Sequence, residues 1–136
     1  MDQNPPHHDA AALDDTRAHI EFMDLLGYIY LQHGLPDKAA VLMTARDILQ
    51  PGDARCLLTL AVAQVRSAKP NKALETLERL AMQGGMDARF HLVRAQALHA
   101  LGRAQEAASA MRAHVSMRIP MGKNDQDVPD LDASPY

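Results

Sequence analysis

The sequence predicts an all-α fold: three tandem helix-turn-helix repeats stacked into a short right-handed superhelix, with acidic disordered tails at both ends. Two observations predict it. The first is a period of 34 residues, on which Ala39, Ala73 and Ala107 share one register, as do Gly27, Ala61 and Ala95, and also Gly34, Ala68 and Gly102. The second is punctuation: Pro36 and Pro70 each follow a turn, where a fixed φ suits the first helical position and no N–H is missed. Ala104 stands at that place in the third copy.

Taken in order, residues 1–13 join Pro5-Pro6 and His7-His8 to acidic groups with little to bury, and are expected to be disordered. The repeat domain is expected over 14–119, with repeats at about 20–53, 54–87 and 88–119. Asp14 or Asp15 would cap the first helix, in which Ile20, Met23, Leu26, Gly27, Tyr30 and Leu31 recur at helical spacing. Gly34 stops it in the left-handed conformation. The second helix runs from Pro36 to about Leu49, with Ala39, Ala40, Leu42, Met43 and Ile48 as its apolar face, before Pro51-Gly52 and a cap at Asp53. Repeat two pairs Ala54–Ser67 with Pro70–Met82 around a turn that lacks glycine. Repeat three pairs about Met86–Leu101 with Arg103–Met117, after which residues 120–136 form an acidic, proline-containing tail. Short connections make successive helices antiparallel neighbours.

Composition narrows the function. The chain is 47% apolar but only 4% aromatic and has no Trp, so its core must be built from Leu, Ala, Val and Met. The net charge of −3 divides into −4 over residues 1–16, −3 over 120–136 and +4 over 17–119. The basic charges of the body are scattered and not interleaved with aromatics, which argues against nucleic acid. The single Cys56 allows no internal disulfide and reads as a small core residue in a reducing compartment. No stretch reaches the roughly 18 apolar residues needed to span a bilayer, and the N-terminus lacks a secretory pattern, so no membrane insertion is expected and the location is cytoplasmic.

No enzyme is expected either. Phosphate-loop, dinucleotide, H-E-x-x-H and C-x-x-C motifs are missing from the sequence. His19, His33, His91, His99 and His114 lack the spacing that would place two on one helix face and read as surface or groove lining, so neither metal nor other cofactor is expected. Glu75 and Glu78 with Lys72 and Arg79 read as a solvated charge network.

The landmark spacing resembles the tetratricopeptide repeat (TPR), whose geometry turns positions 2, 5, 9, 12 and 13 of each first helix toward a concave face, residue 20 being position 1. Repeat one then offers Glu21, Asp24, Tyr28, Leu31 and Gln32; repeat two offers Arg55, Leu58, Val62, Val65 and Arg66; repeat three offers Arg89, Leu92, Gln96, His99 and Ala100. Leu58, Val62 and Val65 form an apolar stripe flanked by arginines, suited to an amphipathic helix or extended apolar segment of a protein partner. Repeat one is the least apolar end, so the tightest grip is expected in repeat two. The carboxylate-clamp positions of chaperone-binding TPR domains hold Asp24, Tyr28, Thr59, Arg89 and Val93, of which only Arg89 fits.

The string L-L-G-Y-I-Y-L-Q-H-G-L-P-D-K-A-A-V-L at Leu25–Leu42, and R-A-Q-A-L-H-A-L-G-R-A-Q-E-A at Arg94–Ala107, resemble the opening and closing repeats of the YscY (SctY) family of type III secretion chaperones. The matching landmarks are Leu26, Gly27, Tyr28, Leu31, Gln32, Gly34, Ala39 and Pro51, and the resemblance covers about residues 20–118. It implies a cytosolic chaperone that holds the YscX (SctX) export component and engages the cytosolic domain of the export gate SctV. Translocator chaperones of the same systems, and TPR scaffolds of other assemblies, share the three-repeat form and are the alternatives. An uncovered groove also allows self-association when the client is absent.

Overall fold

The computed structural model describes the backbone of residues 6–118 and the side chains of residues 11–118. Six helices follow one another: α1 (Pro6–Gln32), α2 (Pro36–Leu49), α3 (Ala54–Arg66), α4 (Pro70–Met82), α5 (Ala88–Ala100) and α6 (Ala104–Arg118). Each packs on the next, and α3 also touches α1 and α5, so α1, α3 and α5 form one layer. This is the all-α helical-repeat architecture, one helix pair per repeat.

The landmarks occupy their places for geometric reasons. Ala39, Ala61 and Ala73 are completely buried, and Ala95 and Ala107 nearly so. A Cβ on Gly27 would stand 2.6 Å from Met43 Cε, so the Met43 side chain of α2 fills the space beside this glycine and its end would have to shift for any larger residue. Each intra-repeat turn has its middle residue in the left-handed region: Gly34 at φ 70°, Ala68 at 62° and Gly102 at 77°. The N–H one residue later closes back on the helix at equivalent places, Leu35 to Tyr30 O at 2.8 Å, Lys69 to Gln64 O at 2.8 Å and Arg103 to Leu98 O at 2.9 Å. Ala68 holds the strained conformation at a cost of about 1 kcal/mol because those bonds and both flanking helices require it.

Between repeats, Asp53 and Asp87 are the N-caps, accepting from Cys56 N–H and Phe90 N–H at 2.9 Å each. Each cap contributes about 1 kcal/mol. Leu57, Ala61, Leu77, Leu80, Phe90 and Val93 make the central core cluster across repeats two and three. Met43, Cys56 and Leu60 join repeats one and two. Cys56 is a core residue; burial pushes its thiol up to about 11, which leaves it unreactive at neutral pH.

Four expectations need correction. First, α1 begins at Pro6 rather than near Asp14, so residues 6–13 are helical and neither Asp14 nor Asp15 is a cap. Proline suits the first position, and the run Ala10-Ala11-Ala12-Leu13 has high helix propensity that outweighs the polar composition. Second, Ile48 is not on the apolar face of α2 but 73% exposed. Third, its expected place inside is taken by Arg46, whose guanidinium is buried against Asp24, with Nε–Oδ1 at 2.8 Å and Nη2–Oδ2 at 3.2 Å. Fourth, His114 is buried rather than lining a surface, its Nδ1 donating to Ala88 O at 2.7 Å and so joining α6 to the start of α5. The expected disorder of residues 1–5 and of the tail from 120 lies outside the described residues.

Candidate functional site

The layer of α1, α3 and α5 carries a concave pocket of about 530 Å³ lined by Glu21, Asp24, Leu25, Tyr28, Met43, Arg55, Thr59 and Arg89. Glu21, Arg55 and Arg89 stand at one repeat position on the first helices of three successive repeats, and helix packing brings them together although each is 34 residues from the next. Their side chains are exposed, and among the described residues neither arginine is bridged to a carboxylate. Asp24 is different. It is held by Arg46, whose protonated form is favoured first by that hydrogen bond, against the opposing effect of burial. Its charge is thereby spent inside the repeat, and the free charges at the mouth are Glu21, Arg55 and Arg89.

Tyr28 adds an exposed aromatic face, and Gln32 donates through its side-chain amide to the Tyr28 hydroxyl one turn away, fixing the ring against the α1 surface. Leu25, exposed beside it, supplies aliphatic area. The pocket thus combines an apolar and aromatic wall on α1 with two guanidiniums on α3 and α5. That arrangement can bind a protein segment that places an apolar side chain on one side and a carboxylate on the other.

Of the expected site residues, Tyr28, Arg55 and Arg89 line this pocket, and Gln32 reaches it through Tyr28. Leu58, Val62 and Val65 do not stand free: they are half-buried, packed on the cluster of Leu57, Ala61 and Phe90. Much of the stripe is therefore spent holding α3 against its neighbours, and a charge at Val62 would disturb the fold as well as the surface. Leu31 and Leu92 are half-buried, whereas Arg66, Gln96 and His99 are exposed outside the pocket. Among the first helices of the three repeats, it is α1 that carries large exposed apolar side chains, at Phe22, Leu25, Tyr28 and Ile29. Leu25 and Thr59 were missed as lining residues because both sit one place beyond the inward position 5.

A second, larger groove of about 840 Å³ runs between α4 and α5. Leu74, Leu77, Phe90 and Leu98 contribute to its apolar surface, with Glu75 and Glu78 on α4 facing the side of His91, Arg94 and Arg103. Among the described residues no group of three His, Cys, Asp or Glu side chains is placed to hold a metal ion, and no described helix is long and apolar enough to cross a membrane.

Residues 58–124 match the tetratricopeptide repeat family, a match that begins within α3 and takes in repeats two and three as they lie in the structure. No curated protein matches the chain significantly. Tetratricopeptide repeats are protein–protein interaction scaffolds.

Proposed function

We propose that this chain, a tetratricopeptide-repeat protein by fold and by sequence, is a non-enzymatic cytoplasmic chaperone that holds a segment of a protein client in its concave pocket. The observation that carries this reading is the convergence of Tyr28, Arg55 and Arg89 on one pocket beside Leu25. The resemblance of Leu25–Leu42 and Arg94–Ala107 to the YscY (SctY) family supports a client of the SctX/YscX type, delivered to the SctV export gate.

The client segment is bound by its side chains. An apolar or aromatic anchor rests on Leu25 and Tyr28, and a neighbouring carboxylate meets Arg55 and Arg89. Both arginines are exposed, so replacing them leaves the fold intact and removes only the contact.

Co-expression with an SctX/YscX-like component is expected to give a stoichiometric complex. Calorimetric titration of Arg55→Ala/Arg89→Ala is expected to show Kd raised about tenfold or more, which corresponds to about 1.4 kcal/mol, with unchanged Tm. Full-affinity binding by that double variant removes the pocket from the mechanism. A chain that binds no such component while binding another client through the same arginines keeps the scaffold and sinks the secretion assignment.

A further inference from the structure

The 34-residue register supplies an internal template for what covers each helix face, and among the described residues none covers repeat one in the place the template requires. Phe22, Cys56 and Phe90 occupy one repeat position. Cys56 is 1% exposed and Phe90 4%, the former clustered with Met43 of the preceding α2 and the latter with Leu77 and Leu80 of the preceding α4, whereas Phe22 is 61% exposed. Ile29 is 38% exposed where Ala63 and Ala97 are completely buried. Phe22 and Ile29 lie seven residues, two helical turns, apart on α1, so they share one face: the face whose register positions later repeats bury.

The other end of the stack carries the matching half. On α4, the residues that meet the next repeat are Leu74, Leu77 and Ala81, packed on the cluster that holds Phe90 and Val93. The same register positions on α6 are Ala108, Met111 and Val115, all exposed, Met111 at 39% and Val115 at 48%. One molecule therefore exposes both complementary surfaces of an interface that it already forms twice internally. Both are apolar at their centres, and among the described residues the α1 end presents Phe22 and Ile29 in place of the solvated outer face that closes a repeat array.

We infer that the α1 face of one molecule docks on the α6 face of a second copy, head to tail, continuing the helical stack across the junction. Phe22 then sits against Met111 of the next molecule as Phe90 sits against Leu77. The contact is heterologous: the two surfaces differ, and each molecule keeps one free end. The inference is independent of what the concave pocket holds.

Sedimentation equilibrium on the full chain over a wide concentration range tests this. The average mass of the wild type is expected to climb past that of a dimer without reaching a plateau. Phe22→Asp, blocked at the α1 end, and Met111→Asp, blocked at the α6 end, are each expected to remain monomeric. An equimolar mixture of the two is expected to give a dimer and nothing larger, because one intact end of each remains. Ile29→Glu and Val115→Glu repeat the test at independent exposed positions, with circular dichroism melting to show that every variant is folded. A wild type that stays monomeric at all concentrations overturns the inference. So does a closed dimer, or a mixture of blocked variants that fails to associate.

Discussion

The two junctions between repeats solve one packing problem with different chemistry. At the α2–α3 junction the register position shared by residues 46, 80 and 114 is filled by Arg46, and at the α4–α5 junction by Leu80; both side chains are buried. Arg46 requires a carboxylate cradle, supplied by Asp24 with Asp53 Oδ2 at 3.7 Å, and a second ion pair ties Asp47 on α2 to Arg79 on α4, Nη1–Oδ2 at 2.8 Å. Leu80 needs only neighbours, which Leu77 and Phe90 provide. The outer grooves differ accordingly: about 240 Å³ beside Ala40, Val41 and Gln64, against about 840 Å³ beside Leu74, Glu75 and Leu98 at the same register positions. Ion pairs at Arg46 and Asp47 supplement the apolar cluster of Met43, Cys56 and Leu60 at the first junction, whereas the second is closed by the apolar cluster around Phe90, so the two should respond differently to loss of charge.

The largest effect is expected from removing the apolar fastener. Phe90→Ala should lower unfolding stability by about 3–5 kcal/mol in urea titration, since it deletes the residue around which the α4–α5 junction closes and leaves a cavity beside an existing groove. A loss below about 1 kcal/mol would mean that the second junction is held by something other than this cluster.

How far the molecule was legible in its sequence follows the same division. Positions fixed by backbone geometry could be read directly: the left-handed turns at Gly34 and Gly102, and the buried Ala39 and Ala73, admit few residue types. Hydropathy misled at Ile48 and Arg46, because a periodic apolar pattern has no means of seeing that a guanidinium will find Asp24 from another helix. Following the register from Leu80 back to residue 46 would have found the buried site. In the candidate pocket, Tyr28, Arg55 and Arg89 were legible as inward positions, but the half-burial of Leu58, Val62 and Val65 depends on how α4 and α5 pack against α3, which no local spacing contains. The helix over residues 6–13 was masked by Pro, His and Asp in a segment whose alanine run decides the backbone.

An intermediate effect is expected at the charged junction. Asp24→Ala strands Arg46 in a buried position, with only the more distant Asp53 to answer it, and should cost about 2–3 kcal/mol. Arg46→Leu, by contrast, places at this junction the residue that the α4–α5 junction already uses, and should change stability by less than about 1 kcal/mol. Thermal melts of the two variants side by side make the comparison. Equal losses would show that the Asp24–Arg46 pair is itself net stabilising, because Asp24→Ala leaves the Arg46 side chain and its packing in place.

The smallest expected effect is a pH dependence confined to the first junction. Burial pushes the Asp47 carboxyl up, but the Arg79 hydrogen bond and the Gly52 N–H at 3.0 Å outweigh it, and the carboxyl titrates below its ordinary value of 3.8. A carboxylate lowered in the folded state adds stability that is fully present well above 3.8 and disappears as pH falls through the lowered value. Because Arg79 is about half exposed, the contribution is small, at most about 1 kcal/mol. Arg79→Met should therefore be slightly less stable than wild type at neutral pH, with the gap closing as pH is taken below the ordinary carboxylate value. Phe90→Ala should show no such convergence, since no charge is lost with it. A gap between Arg79→Met and wild type that persists unchanged into acid would remove the Asp47–Arg79 charge pair from the account of that junction.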